Sequence, residues 1–147
     1  MKIVQVVAVV ILVIYKKTIK ERSVSEDSGP GIDVLLDREN ITNKRWGSYE
    51  IISEKPGWKI KYLYIRKQTR LSDQRHFHRS EHWFILQGEL DVVINGTSRI
   101  KLKKGDNLDI PVGTWHWPQN NSTEPCIVLE TQHGKSFEED DIERRAY

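Results

Sequence analysis

A short stretch of the chain, QRHFHRSEHWFILQG at residues 74–88, concentrates side chains that bind metals or move protons. It holds three of the five histidines, together with glutamine, glutamate and two arginines, and it runs into an apolar segment and a glycine. A buried polar group without a partner costs free energy, so this cluster indicates a shared ligand. Alternate side chains of an extended segment share a face, so we expect Gln74, His76 and His78 to point the same way. Glu81 would rejoin that face after a short bend.

A second stretch, GDNLDIPVGTWHWPQN at residues 105–120, supplies one more imidazole. His116 follows Pro111-Val112-Gly113, a turn that would direct the next strand back toward the first stretch. Two imidazoles, a carboxylate and an amide oxygen that converge in this way predict a divalent-metal site with room for water or substrate. A His-x-His pair alone is also typical of an exposed strand, and it is the two-part spacing that favours the metal.

The elements that must position these residues are short strands. From Ser48 onward, β-branched and aromatic runs are separated by Gly, Pro or Asn, and no long amphipathic helix is indicated. Asn95-Gly96 is the strongest hairpin signal, because a two-residue type I′ turn requires positive φ at both central positions. The pattern predicts an all-β domain, either a β-sandwich or a small barrel. The predicted strands are SYEIISE, WKIKYLYIR, HWFILQ, ELDVVI, SRIKL, NLDI and PCIVLE.

Bulk properties exclude several classes of protein. The chain of 147 residues is long enough for one ordinary core but not for two. Its 23 basic and 21 acidic residues give a net charge of +2 and are scattered, so nucleic-acid binding is not indicated. The single cysteine, Cys126, cannot form an internal disulfide and is typical of a small buried strand residue, which fits a reducing cytoplasm.

Residues 1–40 form an N-terminal extension of a different character. The apolar run at residues 3–15 is too short to span a bilayer comfortably, and residues 18–33 have the composition of a linker. A buried strand, an interfacial anchor and an uncleaved signal-like segment all remain open for the run. We favour packing on the protein or on a partner chain over membrane contact. The domain proper is predicted at residues 41–147.

The two histidine-containing stretches resemble the paired motifs of the cupin superfamily, whose fold is a double-stranded β-helix, or jelly-roll barrel. More closely, five segments are similar to the C-terminal domain of type II mannose-6-phosphate isomerases, including those fused to mannose-1-phosphate guanylyltransferase. The resemblance covers roughly residues 44–145, and RSEHW beside QxHxH is much narrower than the general cupin pattern. The five segments are KRWGSYE, WKIKYLYI, QRHFHRSEHW, IPVGTWHWPQN and EEDDIER.

The resemblance implies a set of metal ligands. Gln74, His76, Glu81 and His116 fall on the family's ligand positions, and these nitrogen and oxygen donors accept Zn, Mn, Co or Fe. His78 is then either a residue that supports the ligands or faces the substrate, or a solvent-facing histidine on the rim.

The implied reaction is the metal-dependent interconversion of mannose 6-phosphate and fructose 6-phosphate through a cis-enediol, which requires a base that reaches the C2 proton. His78 is the candidate base by residue type, and Lys61 is a second if burial lowers its pKa. Arg79 and, less directly, Arg144 of the DIER segment are candidate phosphate ligands. Trp115 is a candidate for packing on the sugar.

Two further readings stay open within the same fold, because one barrel supports many chemistries. The first is another cupin enzyme that modifies a sugar, and the second is a non-catalytic sugar-binding or regulatory cupin. The resemblance also points to a homodimer. Two residues depart from the family pattern: Trp117 stands where arginine is common, and Arg45 stands where proline precedes the Trp-Gly pair.

Overall fold

A computed structural model of the chain describes residues 41–145, which form strands and turns with a single 3₁₀ helix at Glu139–Asp141 and no α-helix within that range. The strands are short because turn residues interrupt the β-branched runs at regular intervals. Their bounds are β1 (Ile41–Lys44), β2 (Gly47–Lys55), β3 (Trp58–Ile65), β4 (Thr69–Arg70), β5 (Gln74–His76), β6 (Arg79–Gln87), β7 (Glu89–Ile94), β8 (Ser98–Lys103), β9 (Asn107–Ile110), β10 (His116–Asn120), β11 (Cys126–Gly134) and β12 (Ile142–Arg144).

The strands form two antiparallel sheets with an apolar core between them. One sheet has the order β1-β2-β3-β11-β6-β9, and the other has the order β12-β5-β10-β7-β8, with β4 beside β10. Strands far apart in sequence are neighbours in both sheets, as in a jelly roll. The all-β double-stranded β-helix expected from the sequence is therefore confirmed. The core residues are Leu63, Ile65, Leu71, Trp83, Ile85, Leu90, Val92, Leu102, Ile110, Cys126 and Val128.

Each strand expected from the sequence is present, and the Asn95-Gly96 turn is confirmed with one refinement. Asn95 and Gly96 have φ of 51° and 75°, as a type I′ turn requires. The amide of Thr97 donates to the carbonyl of Ile94 at 3.2 Å, but Ile94 then pairs with Ser98. The loop between β7 and β8 therefore has one residue more than the two-residue hairpin that was predicted.

The apolar run at residues 3–15 and the linker that follows it lie outside the described residues. Among residues 41–145, no helix is long and apolar enough to cross a membrane. Cys126 is fully buried, as expected, and burial, aided by the charge of Glu89, raises the pKa of its thiol to about 12.

The inward faces of the three central strands of the first sheet change from polar to apolar along their length. On β3, Lys59 and Lys61 precede Leu63, and the register aligns Lys61 with Glu130 and Leu63 with Val128 across to β11. The same alternation continues onto β6. We call one end of this interior surface the polar end, formed by Lys59, Lys61, Arg79, Glu81, Glu130 and Gln132, and the other the apolar end, formed by Leu63, Ile65, Trp83, Ile85, Cys126 and Val128.

Candidate metal centre and its cavity

A turn between β9 and β10 brings the two histidine-containing stretches together. Gly113 adopts a φ of +79°, which glycine tolerates without strain, and its amide donates to the carbonyl of His76 at 2.8 Å. The amide of Thr114 donates to the carbonyl of Pro111 at 3.2 Å and closes the turn. The chain then enters β10, where His116 lies opposite Gln74 of β5. The predicted role of the Pro-Val-Gly turn is confirmed.

Three buried donors converge where β5, β6 and β10 meet. Nε2 of His76 lies 3.0 Å from Oε1 of Glu81, and Nε2 of His116 lies 3.6 Å from Oε2 of the same carboxylate. One donor atom from each residue lies within 4.8 Å of the other two. All three side chains are at most 3% exposed. This spacing is that of ligands grouped around one divalent ion.

The imidazoles are oriented as metal ligands require. Nδ1 of His116 lies 2.9 Å from the carbonyl of Thr114, so Nδ1 carries a proton and Nε2 is the nitrogen available to bind a metal. Within residues 41–145, Nε2 of His116 and both ring nitrogens of His76 have no hydrogen-bond partner. Although Nε2 of His76 is close to Glu81, its angle is not that of a hydrogen bond. Buried ring nitrogens without partners fit a bound cation.

Glu81 is held from several sides. Its Oε2 accepts the indole N–H of Trp83 at 3.1 Å, and its Oε1 accepts the amide of Gln132 at 3.0 Å. Nε of Arg79 lies 3.4 Å from Oε1. Partners of this kind fix the orientation of a ligating carboxylate.

The Glu81 carboxylate and the His116 imidazole shift each other's pKa. Burial alone would raise the pKa of Glu81, but its contacts with His116 and His76 outweigh that effect and hold the pKa well below its usual value. Burial would lower the pKa of His116, and the Glu81 carboxylate raises it instead. The carboxylate is therefore ionised at neutral pH, as a ligand of a divalent cation must be.

Gln74, the fourth ligand implied by the resemblance, lies beside the triad. It pairs directly with His116 across β5 and β10, and it shares its face of β5 with His76. Its amide oxygen accepts the hydroxyl of Ser72 at 3.2 Å, and its side chain lines the cavity described next.

A cavity of about 510 Å³ opens beside the triad. Its lining includes Glu81, Gln74 and Arg79 at the metal side. The remaining cationic residues of the lining are Lys44, Arg45, Lys59, Lys61 and Arg144, and Arg45 and Arg144 also line an adjoining cavity. The cavity lies beside the candidate metal triad, and its lining holds six basic and four acidic residues, an excess of positive charge that suits an anionic ligand.

Arg79 lines the cavity but is buried and paired with acids. Besides Glu81, its Nη1 lies 3.4 Å from Oδ2 of Asp141, and only 3% of its side chain is exposed. Asp141 in turn accepts the amides of Phe77 and His78 at 3.1 and 2.9 Å. Arg79 thus connects the metal centre to the C-terminal 3₁₀ helix.

The structure does not bring His78 to the cavity. Strand β5 ends at His76, and the chain bends at Phe77 and His78, so the expected alternation does not reach His78. The side chain of His78 is 60% exposed, and its Nδ1 lies 2.8 Å from Asp141. The expectation that His78 shares the face of Gln74 and His76 is thereby corrected.

The two tryptophans that flank His116 project away from the triad, because alternation along β10 turns them to the other face. Trp115 packs against the guanidinium groups of Arg75 and Arg145, at 4.9 and 3.8 Å from the ring centre, and does not line the cavity. Trp117 packs against Arg70 at 4.2 Å. An arginine at position 117 would project outward too, so this departure from the family pattern removes no cation from the cavity.

Lys61 and Arg144 do line the cavity. Nζ of Lys61 lies 3.6 Å from Oε1 of Glu130 and 5.0 Å from the ring centre of Tyr49. Arg144 pairs with Glu139 of the 3₁₀ helix and retains 42% exposure of its side chain. Trp83 is a core residue, and its ring lies edge-on to His116 at 5.7 Å.

Four residues near the site were not identified from the sequence. Glu130 and Gln132 follow Cys126 and Val128 at alternate positions of β11, and this period of two was the signal that places them on the same inner face. Asp141 and Arg45 carried no comparable signal, because they lie in a 3₁₀ helix and in the turn between β1 and β2, where strand alternation does not apply.

Comparison with known proteins agrees with this geometry. The profile of the family described as "Mannose-6-phosphate isomerase C-terminal" matches residues 36–146. The chain is 33% identical to mannose-1-phosphate guanylyltransferase ManC of Salmonella typhimurium over 99 residues, and 32% identical to the alginate biosynthesis protein AlgA of Pseudomonas aeruginosa over 99 residues. Each alignment covers 67% of this chain and 20% of the relative, so the chain spans about a fifth of the length of these curated relatives.

A solved structure shares the fold. A double-stranded β-helix protein of Klebsiella pneumoniae superposes with a TM-score of 0.63 over 83% of this chain and 100% of that one, at 15% identity. This likeness supports the jelly-roll architecture. The profile match, which covers more than half of the chain, shows that the chain belongs to the family of the mannose-6-phosphate isomerase C-terminal domain.

Proposed function

We propose that the chain is a metal-dependent isomerase that interconverts mannose 6-phosphate and fructose 6-phosphate through a cis-enediol. The observation that carries the proposal is the convergence of His76, Glu81 and His116 beside a cavity whose lining has more basic than acidic residues. An aldose–ketose isomerase needs an electrophile near the reacting oxygens, and a sugar phosphate needs positive charge some distance away. Both requirements are met within one cavity.

The donor set fits a divalent cation of the Zn, Mn, Co or Fe class. Two imidazole nitrogens and a carboxylate, with the Gln74 amide oxygen beside them, leave coordination positions for the substrate. When bound, the ion would polarise the sugar's carbonyl and hydroxyl oxygens. The protein's part is to hold the donors: Thr114 fixes the His116 ring, and Trp83 and Gln132 fix the Glu81 carboxylate.

The phosphate is assigned to the cationic lining away from the triad. Arg45 and Arg144 line both cavities and so lie where the two adjoin, and Lys44 also lines the larger one. Arginine suits phosphate because its planar fork binds two oxygens together. Arg79 is a weaker candidate than the sequence indicated, because its guanidinium already contacts Glu81 and Asp141.

Isomerase activity is tested by incubating the purified chain, loaded separately with Zn, Mn, Co or Fe, with fructose 6-phosphate and measuring mannose 6-phosphate. We expect turnover with at least one metal, and none with unphosphorylated fructose, because the cationic lining requires the phosphate. A chain that binds metal by elemental analysis but converts nothing with any of the four would contradict the proposal and favour a sugar-binding role.

The alignment with the guanylyltransferases is confined to 20% of their length, so the proposal concerns the isomerase reaction alone.

The homodimer expected from the family resemblance stays a prediction. Light scattering on the full chain, coupled to size-exclusion chromatography, checks it, and a mass near 17.2 kDa would contradict it.

A further inference from the structure

A carboxylate that the sequence analysis did not identify occupies the centre of the polar end. Glu130 lies on the inner face of β11, directly opposite Lys61 of β3 on one side and Trp83 of β6 on the other. It is 5% exposed and lines the cavity beside the metal centre. An acid buried this deeply is uncommon unless it is paired or has a chemical role.

A single amide connects Glu130 to the metal centre. Nε2 of Gln132 donates to Oε1 of Glu130 at 2.8 Å and to Oε1 of Glu81 at 3.0 Å. The two carboxylates are therefore held at a fixed separation by one side chain that is 1% exposed. The register supports the same arrangement, since Gln132 pairs with Glu81 across β11 and β6.

Lys61 balances the charge of Glu130 from the opposite side. Its ammonium nitrogen lies 3.6 Å from Oε1 of Glu130, and its side chain also lines the cavity. Both Gln132 and Lys61 therefore contact the same carboxylate oxygen. This arrangement orients the carboxyl group firmly while its residue borders the space that the substrate would occupy.

His78 and the other carboxylates are placed less well than Glu130, and Lys61, the remaining candidate base, is paired with Glu130 itself. His78 is 60% exposed and does not line the cavity. Glu81 is a metal ligand. Among the carboxylates that line the cavity, Glu138 and Glu139 belong to the C-terminal segment, whereas Glu130 lies within the polar end itself.

We propose that Glu130 is the residue that carries the proton between C2 and C1 of the sugar phosphate, and that Gln132 positions its carboxylate relative to the metal ligands. This assignment rests on the proposed isomerase function. It names a catalytic group that neither the family match nor the metal geometry supplies.

The proton transfer balances without an added reactant. The Glu130 carboxylate takes the proton from C2 of the aldose, the electron pair of that bond forms the C1–C2 double bond, and the carbonyl electrons move onto O1. The proton on O2 then passes to O1. The C2–O2 double bond forms as C1 takes the proton back from the Glu130 carboxylic acid, which gives the ketose and regenerates the carboxylate.

The surroundings of Glu130 also adjust its acidity. Burial chiefly raises its pKa, and the negative charge of Glu81 adds to the rise. The charges of Lys61, Arg79 and His116 act in the opposite direction, and the resulting pKa is about 7. A group with a pKa near the working pH both accepts and returns a proton efficiently.

The test compares Glu130→Gln with the full, metal-loaded chain in deuterated water. Turnover of fructose 6-phosphate and deuterium incorporation at C2 of mannose 6-phosphate are both measured by NMR, and metal content is measured by elemental analysis. We expect both rates to fall by about 10²–10⁴-fold, the usual contribution of a general acid–base group, with the metal retained. The substrate KM is expected to change little, because the amide preserves the shape of the side chain.

Asp91→Asn is the matched control, since it makes the same carboxyl-to-amide change at a buried acid that does not line the cavity. It should leave both rates unchanged. A rate of deuterium incorporation in Glu130→Gln within tenfold of that of the unaltered chain would overturn the assignment of Glu130 and leave the isomerase proposal standing. If Glu130→Gln loses its bound metal as well as its turnover, the assignment is likewise overturned. If the unaltered chain converts nothing with any metal, both proposals fail.

Should Glu130→Gln not fold, Glu130→Asp provides the decisive measurement. It retains the carboxylate but withdraws it by one methylene, so we expect turnover to fall at least tenfold with metal content intact. Unchanged turnover would overturn the assignment.

Discussion

The apolar end and the polar end of the interior surface on β3, β11 and β6 differ in the kind of side chain that they bury. At the apolar end, Leu63, Ile85 and Val128 pack as a dry core on β3, β6 and β11. At the polar end, the same three strands present Lys61, Glu130 and Glu81 on the inward face, where Lys61 pairs with Glu130 and Glu81 pairs with Gln132. A change of two residues along a strand is enough to pass from one environment to the other.

This difference shows how the fold separates stability from chemistry. Apolar burial contributes about 25 cal/mol per Å² and does not depend on direction, so the apolar end stabilises the strands whatever lies beyond it. The polar end instead consists of groups that pair with one another, as when Gln132 donates to both Glu81 and Glu130. Such networks contribute little net stability but fix geometry. Substitutions at the apolar end should therefore lower the free energy of unfolding, and substitutions at the polar end should lower metal affinity or turnover.

The largest effect is expected for Glu81→Ala at the polar end. It removes the carboxylate that lies between His76 and His116, which is proposed as a metal ligand, and leaves the donors of Trp83 and Gln132 without this acceptor. Metal affinity should fall by more than about 100-fold, because even loss of a partner that merely orients a ligand costs 10–100-fold. Elemental analysis and titration of the metal into the apo chain measure the loss.

His82→Ala is the control for Glu81→Ala, since it lies on the outward face of the same strand and pairs with the exposed Asp109. It should bind metal normally. Metal retained by Glu81→Ala at the original affinity would mean that the polar end does not hold the ion through this carboxylate.

Ile85→Ala at the apolar end should lower the stability of the fold and leave metal affinity unchanged. Ile85 is fully buried in the core, so truncation should lower the free energy of unfolding by about 3 kcal/mol through lost burial and a residual cavity. Urea unfolding measures this change, and metal titration of the folded variant should match that of the unaltered chain. A large loss of metal affinity without loss of stability would show that the two ends are not separable.

Glu130→Gln tests how costly a charge is at the polar end. The pKa of Glu130 is about 7 in the folded chain, above its ordinary value of 4.5, so the folded state binds the proton more tightly. The stability of the apo chain should therefore fall as the pH rises from about 5 to about 7 and then level off, by an amount on the order of 2 kcal/mol. Glu130→Gln should lack this decline in urea unfolding series at several pH values. A difference between the two chains that does not vary with pH would count against a raised pKa.

The smallest effect is expected at the boundary between the two ends. Trp83 is part of the core and donates to Oε2 of Glu81, so Trp83→Phe keeps an aromatic ring but removes the donor. Metal affinity should fall about tenfold, the lower end of the range for partners that orient a ligand. Calorimetric titration of the metal measures this loss. Trp83→Tyr also lacks the indole N–H, so its metal affinity should fall by a similar factor. Unchanged affinity in Trp83→Phe would contradict the role of the indole N–H.

Much of the fold and part of the candidate site could be predicted from the sequence, because strand alternation and turn chemistry are local signals. They identified the strands, the Asn95-Gly96 turn and the approach of His116 to the first stretch. Strand alternation does not reach His78, because β5 ends two residues earlier. Along β11, the same alternation places Glu130 and Gln132 on the inner face. The environment of Arg79 depends on Asp141, which is 62 residues away, and no local pattern encodes that contact.

The carboxylate of Asp141 has a consequence for how the protein is made. It holds the backbone amides of Phe77 and His78, which are 64 and 63 residues closer to the N-terminus, and so completes the bend between His76 and Glu81. Chains emerge from the ribosome N-terminus first. The segment that carries these two donors is therefore synthesised well before Asp141, and the bend between His76 and Glu81 gains these two hydrogen bonds only after Asp141 has been made.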